Sequence, residues 1–421
     1  MDWMALRSGS DIRGVAVGEY AVLTSEVAKH VGAAFVHWIA CKTQKPVRDI
    51  VVSVGRDSRI TGEKLLTATA QGLALAGAQA IDFGLCTTPA MYMSTITEGF
   101  ESDGAVMITA SHHPYQLNGI KCFVRSGGLS GNDIKELLQR AQHLDMCSLA
   151  GGGTIVQSAF IPTYADLLAE WIRKGLCTCE KQPLLGLHVV VDAGNGAGGF
   201  YEKLLSQLGA QTRGSQFLDP DGMFPNHVPN PENAEAMASV CKAVKELRAD
   251  LGVIFDTDCD RVAVVDHLGH EINRNRLIAL ISAILLRAQK GQTIVTDSVT
   301  SSGLNAFIQA LGGHHHRFKR GYRNVIDEAI RLNAPMSPVI RFRNRMGVIM
   351  GMVIFHTRRH TGQPSISADS YSAVGMLCRP ARFTTIVRPT PQRDTNTRLG
   401  ITRSGSLSHS TLPTANTRLR T

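Results

Sequence analysis

The chain has 421 residues, 43% of them hydrophobic, and a formal net charge of +9. This length predicts two to four domains, and the absence of an apolar stretch of roughly 20 residues excludes a membrane-spanning segment. A positive net charge is typical of proteins that bind nucleic acid. However, the 88 residues 334–421 hold thirteen arginines and two aspartates, no lysine and no glutamate. Residues 1–333 therefore have a net charge of −2. We therefore expect neither a nucleic-acid nor a membrane partner.

The N-terminus has no signal-peptide core, and the nine scattered cysteines favour a reducing compartment. The expected location is the cytoplasm, or an organelle such as a plastid if an upstream transit peptide is missing.

Helices and strands alternate along the first 333 residues. Helical periodicity covers residues 24–40, 62–78, 132–144, 163–174, 234–247, 277–287, 302–311 and 324–332. Short apolar runs predict strands at residues 50–54, 81–84, 105–108, 120–124, 187–191, 251–255, 262–265 and 293–296. This alternation is typical of α/β layers, with helices flanking a sheet, repeated in series.

Three other segments lead to separate predictions. A Gly-rich turn after residue 191 either cradles a phosphate or only forms a strand-to-helix corner. The Pro-rich residues 219–232 predict a long ordered loop. The three histidines 314–316 are either a metal tract or a basic loop before a strand.

The stretch 103–123 is the first candidate site. An apolar run leads into the polar turn T-A-S-H-H-P, and Asn118 with Gly119 predicts a reversal that brings Lys121 back towards Ser111. A hydroxyl with a histidine and a lysine nearby could be a nucleophile or a phosphate carrier. An ordinary hairpin with a polar turn is the alternative.

A second candidate site follows the strand at residues 251–255. Asp256, Asp258 and Asp260 stand at alternate positions, and carboxylates that converge in this way repel one another unless a cation binds them. A hard divalent ion such as Mg²⁺ is expected, and a solvated acidic turn is the alternative. With the serine turn, this predicts phosphoryl transfer, in which basic side chains hold the transferring oxygens. The candidates for that task are Arg13, Arg56, Arg59, Lys121 and Arg261.

Five motifs stand in one order along the chain: G-S-D-I-R-G, G-R-D-S-R, T-A-S-H-H-P followed by N-G-I-K, P-D-G-M-F-P-N-H-V-P-N-P-E, and D-T-D-C-D-R. With them, residues from about 8 to 333 resemble the α-D-phosphohexomutases, the phosphoglucomutase/phosphomannomutase superfamily. The resemblance implies four α/β domains around one cleft. It also implies a phosphosugar substrate, converted between hexose 1-phosphate and hexose 6-phosphate through a phosphoserine and a hexose 1,6-bisphosphate.

The resemblance also implies roles for individual residues. Ser111 would carry the phosphate, and Mg²⁺ would be held by Ser111, Asp256, Asp258 and Asp260. Lys121 and His112 would assist proton transfer and charge neutralisation, with Arg13 and Arg261 beside the phosphoryl group. The candidate substrate-binding residues are Arg56, Arg59, Lys319 and Arg320.

The sequence departs from the family after residue 333. It lacks the sugar-selecting Gly-Glu-x-Ser-Gly-His loop and the distal phosphate-binding Arg-x-Ser-Gly-Thr-Glu-Pro loop, and residues 334–421 resemble another reading frame or retained non-coding sequence. We predict domain I at 1–153, domain II at 154–275, a partial domain III at 276–333 and a poorly ordered tail at 334–421.

The expected protein is a mutase impaired by truncation. The alternatives are an inactive or phosphatase-like fragment and a basic-tailed regulatory or nucleic-acid-binding protein, and the preferred hexose and the oligomeric state are open.

Overall fold

The structure, a computed structural model, describes residues 2–149, 151–176, 178–320, 322–332 and 334. These residues form the predicted mixed α/β fold, in which helices flank sheets. Almost all of the segment predicted as a poorly ordered tail lies outside the described residues. Among the described residues, no helix combines the length and the apolar character needed to cross a membrane.

The first sheet has eight strands, in the order β1-β2-β6-β5-β3-β4-β8, with β7 paired to β6. The strands are β1 (Arg7–Ser8), β2 (Asp11–Val15), β3 (Val51–Arg56), β4 (Gln79–Leu85), β5 (Gly104–Ile108), β6 (Leu117–Val124), β7 (Gly127–Gly128) and β8 (Thr154–Gln157). Its centre is parallel (β5, β3, β4 and β8), and β6 and β2 join antiparallel at one side. The C-terminal end of β5 therefore lies between a parallel and an antiparallel neighbour.

Helices cover both faces of this sheet. They are α1 (Ser25–Thr43), α2 (Gly62–Leu75), α3 (Thr88–Met93) and α4 (Gly131–His143). Alternate residues of β5 point to opposite faces of the sheet. Val106 and Ile108 belong to the core that contains α1, α2 and α4. Ala105 and Met107 belong to a second core, which contains α3. Burial on both faces explains why β5 is an uninterrupted apolar run.

The second sheet has three strands in the order β11-β10-β9, namely β9 (Val189–Asp192), β10 (Leu251–Phe255) and β11 (Val262–Asp266). Strands β9 and β10 are parallel, and β11 is antiparallel to β10. The accompanying helices are α5 (Ile161–Leu176), α6 (Phe200–Gln207) and α7 (Ala234–Leu247). The predicted helix at 234–247 and the predicted strand at 251–255 are confirmed at both ends.

A line of aromatic rings connects the two sheets. Its members are Phe83 on β4, Phe160, Tyr164, Phe200, Tyr201 and, on β10, Phe255. Successive ring centroids are between 4.3 and 6.4 Å apart. All six rings belong to, or pack against, one hydrophobic core that also contains α3. The two sheets therefore share one apolar core.

The third part contains two parallel strands, β12 (Thr293–Asp297) and β13 (His314–Phe318), with helices α8 (Arg274–Ala288), α9 (Ser302–Ala310) and α10 (Tyr322–Arg331). The prediction of a basic loop at residues 314–316 is wrong, because these residues pair with β12. Alternation along β13 gives the histidines different partners: His315 Nε2 lies 2.8 Å from Thr296 Oγ1, and His316 Nε2 lies 2.9 Å from Glu328 Oε1.

The predicted domain boundaries remain predictions. Short 3-10 helices lie at Trp3–Leu6, Val47–Asp49, Met146–Ser148 and Ala197–Gly199.

The predicted reversal at Asn118 and Gly119 is also wrong. Both residues lie inside β6, and the chain reverses earlier, between residues 111 and 116, where the Leu117 N–H donates to Pro114 O at 3.1 Å. A Cβ on Gly119 would lie 2.6 Å from the carbonyl oxygens of both Ile12 and Thr109. The glycine is therefore needed for close strand contact and not for a turn.

Candidate active site

Ser111 is a buried residue just beyond β5, at the start of a loop. Its φ of +53° places a non-glycine residue in the left-handed region, a conformation that surrounding contacts must maintain. Thr109 Oγ1 accepts the Ser111 N–H at 2.8 Å and donates to Asp57 Oδ2 at 2.6 Å. Burial raises the pKa of the Asp57 carboxyl, and Arg59 and Thr109 oppose that rise. The serine is thus anchored to Thr109 through its backbone and not through its hydroxyl.

Arg59 is the main support of the serine loop. It is buried, and its five N–H groups are directed to the Asp57 carboxylate and to four carbonyl oxygens of the loop, those of Ser111, His113, Pro114 and Leu117. A guanidinium has only five donors, so none remains for a substrate. The contacts of Arg59 make it a positioning residue for the serine loop, and its predicted role in substrate binding remains a prediction.

The aspartate loop follows β10 and is held by both sheets. Thr88, the first residue of α3, donates its N–H to Asp258 O at 2.9 Å and its hydroxyl to Asp258 Oδ2 at 2.6 Å. The Ala197 N–H, from the Gly-rich turn, donates to Thr257 O at 2.8 Å. The Arg261 N–H donates to Asp256 Oδ1 at 2.9 Å. These bonds hold the loop in place although its carboxylates repel one another.

The serine and aspartate loops meet in one cluster, as the sequence predicts. Ser111 Oγ donates to Asp256 Oδ2 at 2.7 Å, across 145 positions of the chain. Lys121 Nζ, on β6, lies 2.7 Å from Asp258 Oδ2 and 2.6 Å from Asp260 Oδ2. Five of the predicted site residues are therefore linked directly.

Burial and charge shift the pKa values of the cluster in opposite directions. Burial raises the pKa of Asp256 well above its usual range, and the charges of Asp258 and Asp260 add to the rise. Burial also acts to raise the pKa of Asp258, but Lys121 and the hydrogen bonds outweigh it and hold that pKa low. For Lys121, burial acts to lower the pKa, and the two carboxylates outweigh it and raise the pKa well above the usual value. The lysine therefore stays charged.

The three aspartates fit a hard divalent cation. One carboxylate oxygen from each lies within 4.8 Å of the others. Asp258 Oδ1 is buried and has no hydrogen-bond partner among the described residues, so it has a free lone pair directed into the protein. An all-oxygen donor set with the Ser111 hydroxyl alongside suits Mg²⁺. Asp256, Asp258 and Asp260 would hold the ion, with Ser111 Oγ beside it.

The other predicted catalytic residues surround the serine. His112 Nδ1 lies 3.3 Å from Ser111 Oγ, and burial, followed by the charge of Arg261, lowers the pKa of this imidazole to about 4. Arg13 donates to Asp11 Oδ2 at 2.9 Å, and its Nε is buried without a partner among the described residues. The Arg261 and Asp260 side chains are 39% and 30% exposed, so the cluster opens to solvent on their side.

The remaining predicted substrate-binding residues are Arg56, Lys319 and Arg320. Arg56 donates to Asp57 O at 3.0 Å and is partly exposed at the end of β3. Lys319 and Arg320 follow β13 and are exposed. Their roles remain predictions. Two further residues of the site were not predicted. Nothing near Thr88 in the chain marks it as a neighbour of an aspartate 170 positions away. Asp57 lies in the G-R-D-S-R motif, but its hydrogen bond to Thr109 becomes apparent only in the structure.

Comparison with known proteins points to one family. Models of the phosphoglucomutase/phosphomannomutase α/β/α domains I, II and III match residues 5–146, 162–269 and 273–337. A phosphomannomutase/phosphoglucomutase of Pseudomonas aeruginosa is 32% identical over 340 residues, which cover 80% of this chain and 69% of that protein. A phosphoglucomutase of Neisseria gonorrhoeae is 32% identical over 314 residues, covering 74% of this chain and 64% of the relative. The crystal structure of a phosphoglucomutase/phosphomannomutase family protein from Burkholderia thailandensis superposes with a TM-score of 0.72 at 27% identity, covering 88% of this chain and 79% of the other.

Fold, site and relatives together define an enzyme of the intramolecular phosphotransferase class. The chain belongs to the phosphoglucomutase/phosphomannomutase family.

Proposed function

We propose that the protein is a phosphohexomutase that moves a phosphoryl group between the 1- and 6-positions of a hexose, with Ser111 as the carrier. The observation that supports this most directly is the 2.7 Å contact between Ser111 Oγ and Asp256, inside a cluster of three carboxylates and one ammonium. A hydroxyl held among carboxylates that can bind a metal ion supports phosphoryl transfer over ordinary loop packing.

In the proposed first step, Ser111 Oγ attacks a phosphorus of a hexose 1,6-bisphosphate. The Oγ–P bond forms as the bond between phosphorus and the sugar oxygen breaks. His112 Nδ1 takes the Oγ proton and passes it on to the sugar oxygen, which leaves as a hydroxyl group. His112 suits this task because its lowered pKa keeps the imidazole neutral at neutral pH. A Mg²⁺ ion, when bound, would supply charge neutralisation at the phosphoryl oxygens.

The cations around the serine have separate proposed tasks. Lys121 balances the buried carboxylates and stays protonated, so it serves as a fixed positive charge beside the transferring group. Arg13 and Arg261 would hold the phosphoryl oxygens on the open side. Lys319 and Arg320 would contact the phosphate at the far end of the sugar.

We also infer a reduced turnover for this chain. The sugar-selecting and distal phosphate-binding motifs of the family do not occur in its 421 residues. Holding a substrate in the reactive geometry supplies a large part of the barrier lowering in phosphoryl transfer. Phosphorylation of Ser111 should therefore survive better than full conversion of one hexose phosphate into the other.

Intact mass after incubation with glucose 1,6-bisphosphate and Mg²⁺ tests the proposal. One added phosphate that maps to Ser111, and that is missing in Ser111→Ala, supports the phosphocarrier role. No added phosphate under any condition contradicts it. Release of inorganic phosphate without any glucose 6-phosphate formed from glucose 1-phosphate would favour the phosphatase-like alternative.

A further inference from the structure

The Pro-rich loop at residues 219–232 reaches from the second sheet to the support of Ser111. At its inner end, His227 Nε2 lies 3.1 Å from both carboxylate oxygens of Asp192, at the end of β9. Asn226 Nδ2 donates to Asn195 Oδ1 at 2.8 Å. The loop contains no helix or strand, and these side-chain bonds hold it in place.

The tip of this loop lies against the first sheet's G-R-D-S-R segment. A Cβ on Gly222 would lie 2.4 Å from Ile60 N and 2.5 Å from Ser58 O, so the two backbones are in direct contact and only glycine fits. Two residues later, the Phe224 ring lies over the Arg59 guanidinium, with 5.4 Å between Cζ and the ring centroid.

The backbone of Phe224 is strained. Its φ is +51°, in the left-handed region, where a bulky residue is a true outlier and persists only when its surroundings demand it. That conformation turns the ring onto Arg59. Since all five N–H groups of Arg59 are used at the guanidinium edge, only the faces remain for packing, and an aromatic ring is the partner that a face accepts.

We propose that Phe224 is a positioning residue for Ser111, acting through Arg59. Arg59 holds four carbonyl oxygens of the serine loop, and Phe224 covers Arg59 from the second sheet, which also carries Asp256. The 219–232 loop thereby couples the serine loop to the sheet that supplies the aspartates. The proposal rests on the proposed function for its catalytic consequence, but its structural part stands independently.

Amide hydrogen exchange tests the structural part without any catalysis. Within residues 109–119, the Ser111 amide is bonded to Thr109 Oγ1 and the Leu117 amide to Pro114 O. Phe224→Leu should speed exchange in this segment about tenfold, and Phe224→Tyr, which keeps the ring, should not. Met223→Ala, a change at an exposed neighbour in the same loop, is the matched control. Exchange in β10 should be unchanged in all three variants.

Ser111 phosphorylation by glucose 1,6-bisphosphate tests the catalytic part. Phe224→Leu should lower the rate constant about tenfold and leave the half-saturating concentration nearly unchanged, and Phe224→Tyr should restore the rate. If the wild-type chain takes up no phosphate, the proposed function fails and the exchange data alone decide the coupling.

Gly222→Ala provides a second route to the same result. Its added methyl group displaces the loop from residues 58–60 and leaves the Phe224 side chain intact, so it should also speed exchange in residues 109–119. Wild-type exchange rates in that segment for both Phe224→Leu and Gly222→Ala would overturn the proposal. An equal rise in β10 would also overturn it, because general destabilisation would then explain the effect.

Discussion

Lys121 and Asp258 form a buried ion pair, with 2.7 Å between Nζ and Oδ2, and they come from different sheets. Lys121 is on β6 of the first sheet, and Asp258 follows β10 of the second. The pair therefore contributes both to the electrostatics of the candidate metal site and to the junction between the two sheets.

Lys121→Met should destabilise the protein by about 3–5 kcal/mol, because it leaves two carboxylates without their buried cation. Urea unfolding followed by circular dichroism measures the change. Lys242→Met is the control, since Lys242 pairs with Glu246 at 3.8 Å on an exposed helix face, and its loss should cost below about 1 kcal/mol. A similar small cost for Lys121→Met would show that the buried pair contributes little.

Removal of one metal ligand should abolish stabilisation by Mg²⁺. The wild-type chain should gain about 2.7 kcal/mol of unfolding free energy at a Mg²⁺ concentration of about one hundred times Kd. Asp258→Asn should lose this gain, and EDTA should remove it from the wild type. A thermal unfolding midpoint that does not depend on Mg²⁺ in the wild type would rule out the site.

Arg59→Lys should cost about 3 kcal/mol or more, although charge is conserved. A lysine has three donors and no planar fork, so it leaves several of the buried carbonyl oxygens and part of the Asp57 carboxylate unpaired. Arg125→Lys, at a side chain that is 70% exposed, is the matched control and should be close to neutral. Equal unfolding free energies for the two variants would contradict the supporting role of Arg59.

The His227–Asp192 pair should make stability depend on pH. Burial acts to lower the pKa of His227, but the Asp192 carboxylate and Val228 O outweigh it and raise the pKa above the ordinary 6.5. A raised folded-state pKa adds stability that is complete below about pH 6.5 and is lost as pH rises through the folded value. Urea unfolding between about pH 6 and about pH 9 should show this decline in the wild type.

His227→Gln should remove that part of the decline, and Asp192→Asn should weaken it. The difference in unfolding free energy between the wild type and His227→Gln should therefore be largest at low pH. A difference that grows as pH rises would mean that the histidine is held neutral in the folded protein.

Much of the site could be predicted from short motifs, because its chemistry depends on residue types close together in the chain. Asp256, Asp258 and Asp260 follow one strand, and their mutual repulsion predicts a cation between them. Contacts between distant segments could not be predicted in this way. Asn118 and Gly119 have the composition of a hairpin turn, yet Gly119 is needed for close contact between strands, which only the paired sheet reveals.

The supporting role of Arg59 could not be predicted for a related reason. A sequence shows that an arginine is present, but its role depends on which acceptors surround it. Here, four carbonyl oxygens from residues more than fifty positions away use its donors. The strands and helices themselves were predictable because burial sets their apolar period, whereas β13 was missed because its polar histidines conceal that period.

The line of aromatic rings from Phe83 to Phe255 has a consequence for how such a chain can be inherited. A break between the two sheets would expose the faces of these rings to water on both fragments. Neither α/β unit can then be exchanged freely for one from another gene. We expect recombination to preserve folding only when the partners on both sides of the aromatic contact stay matched.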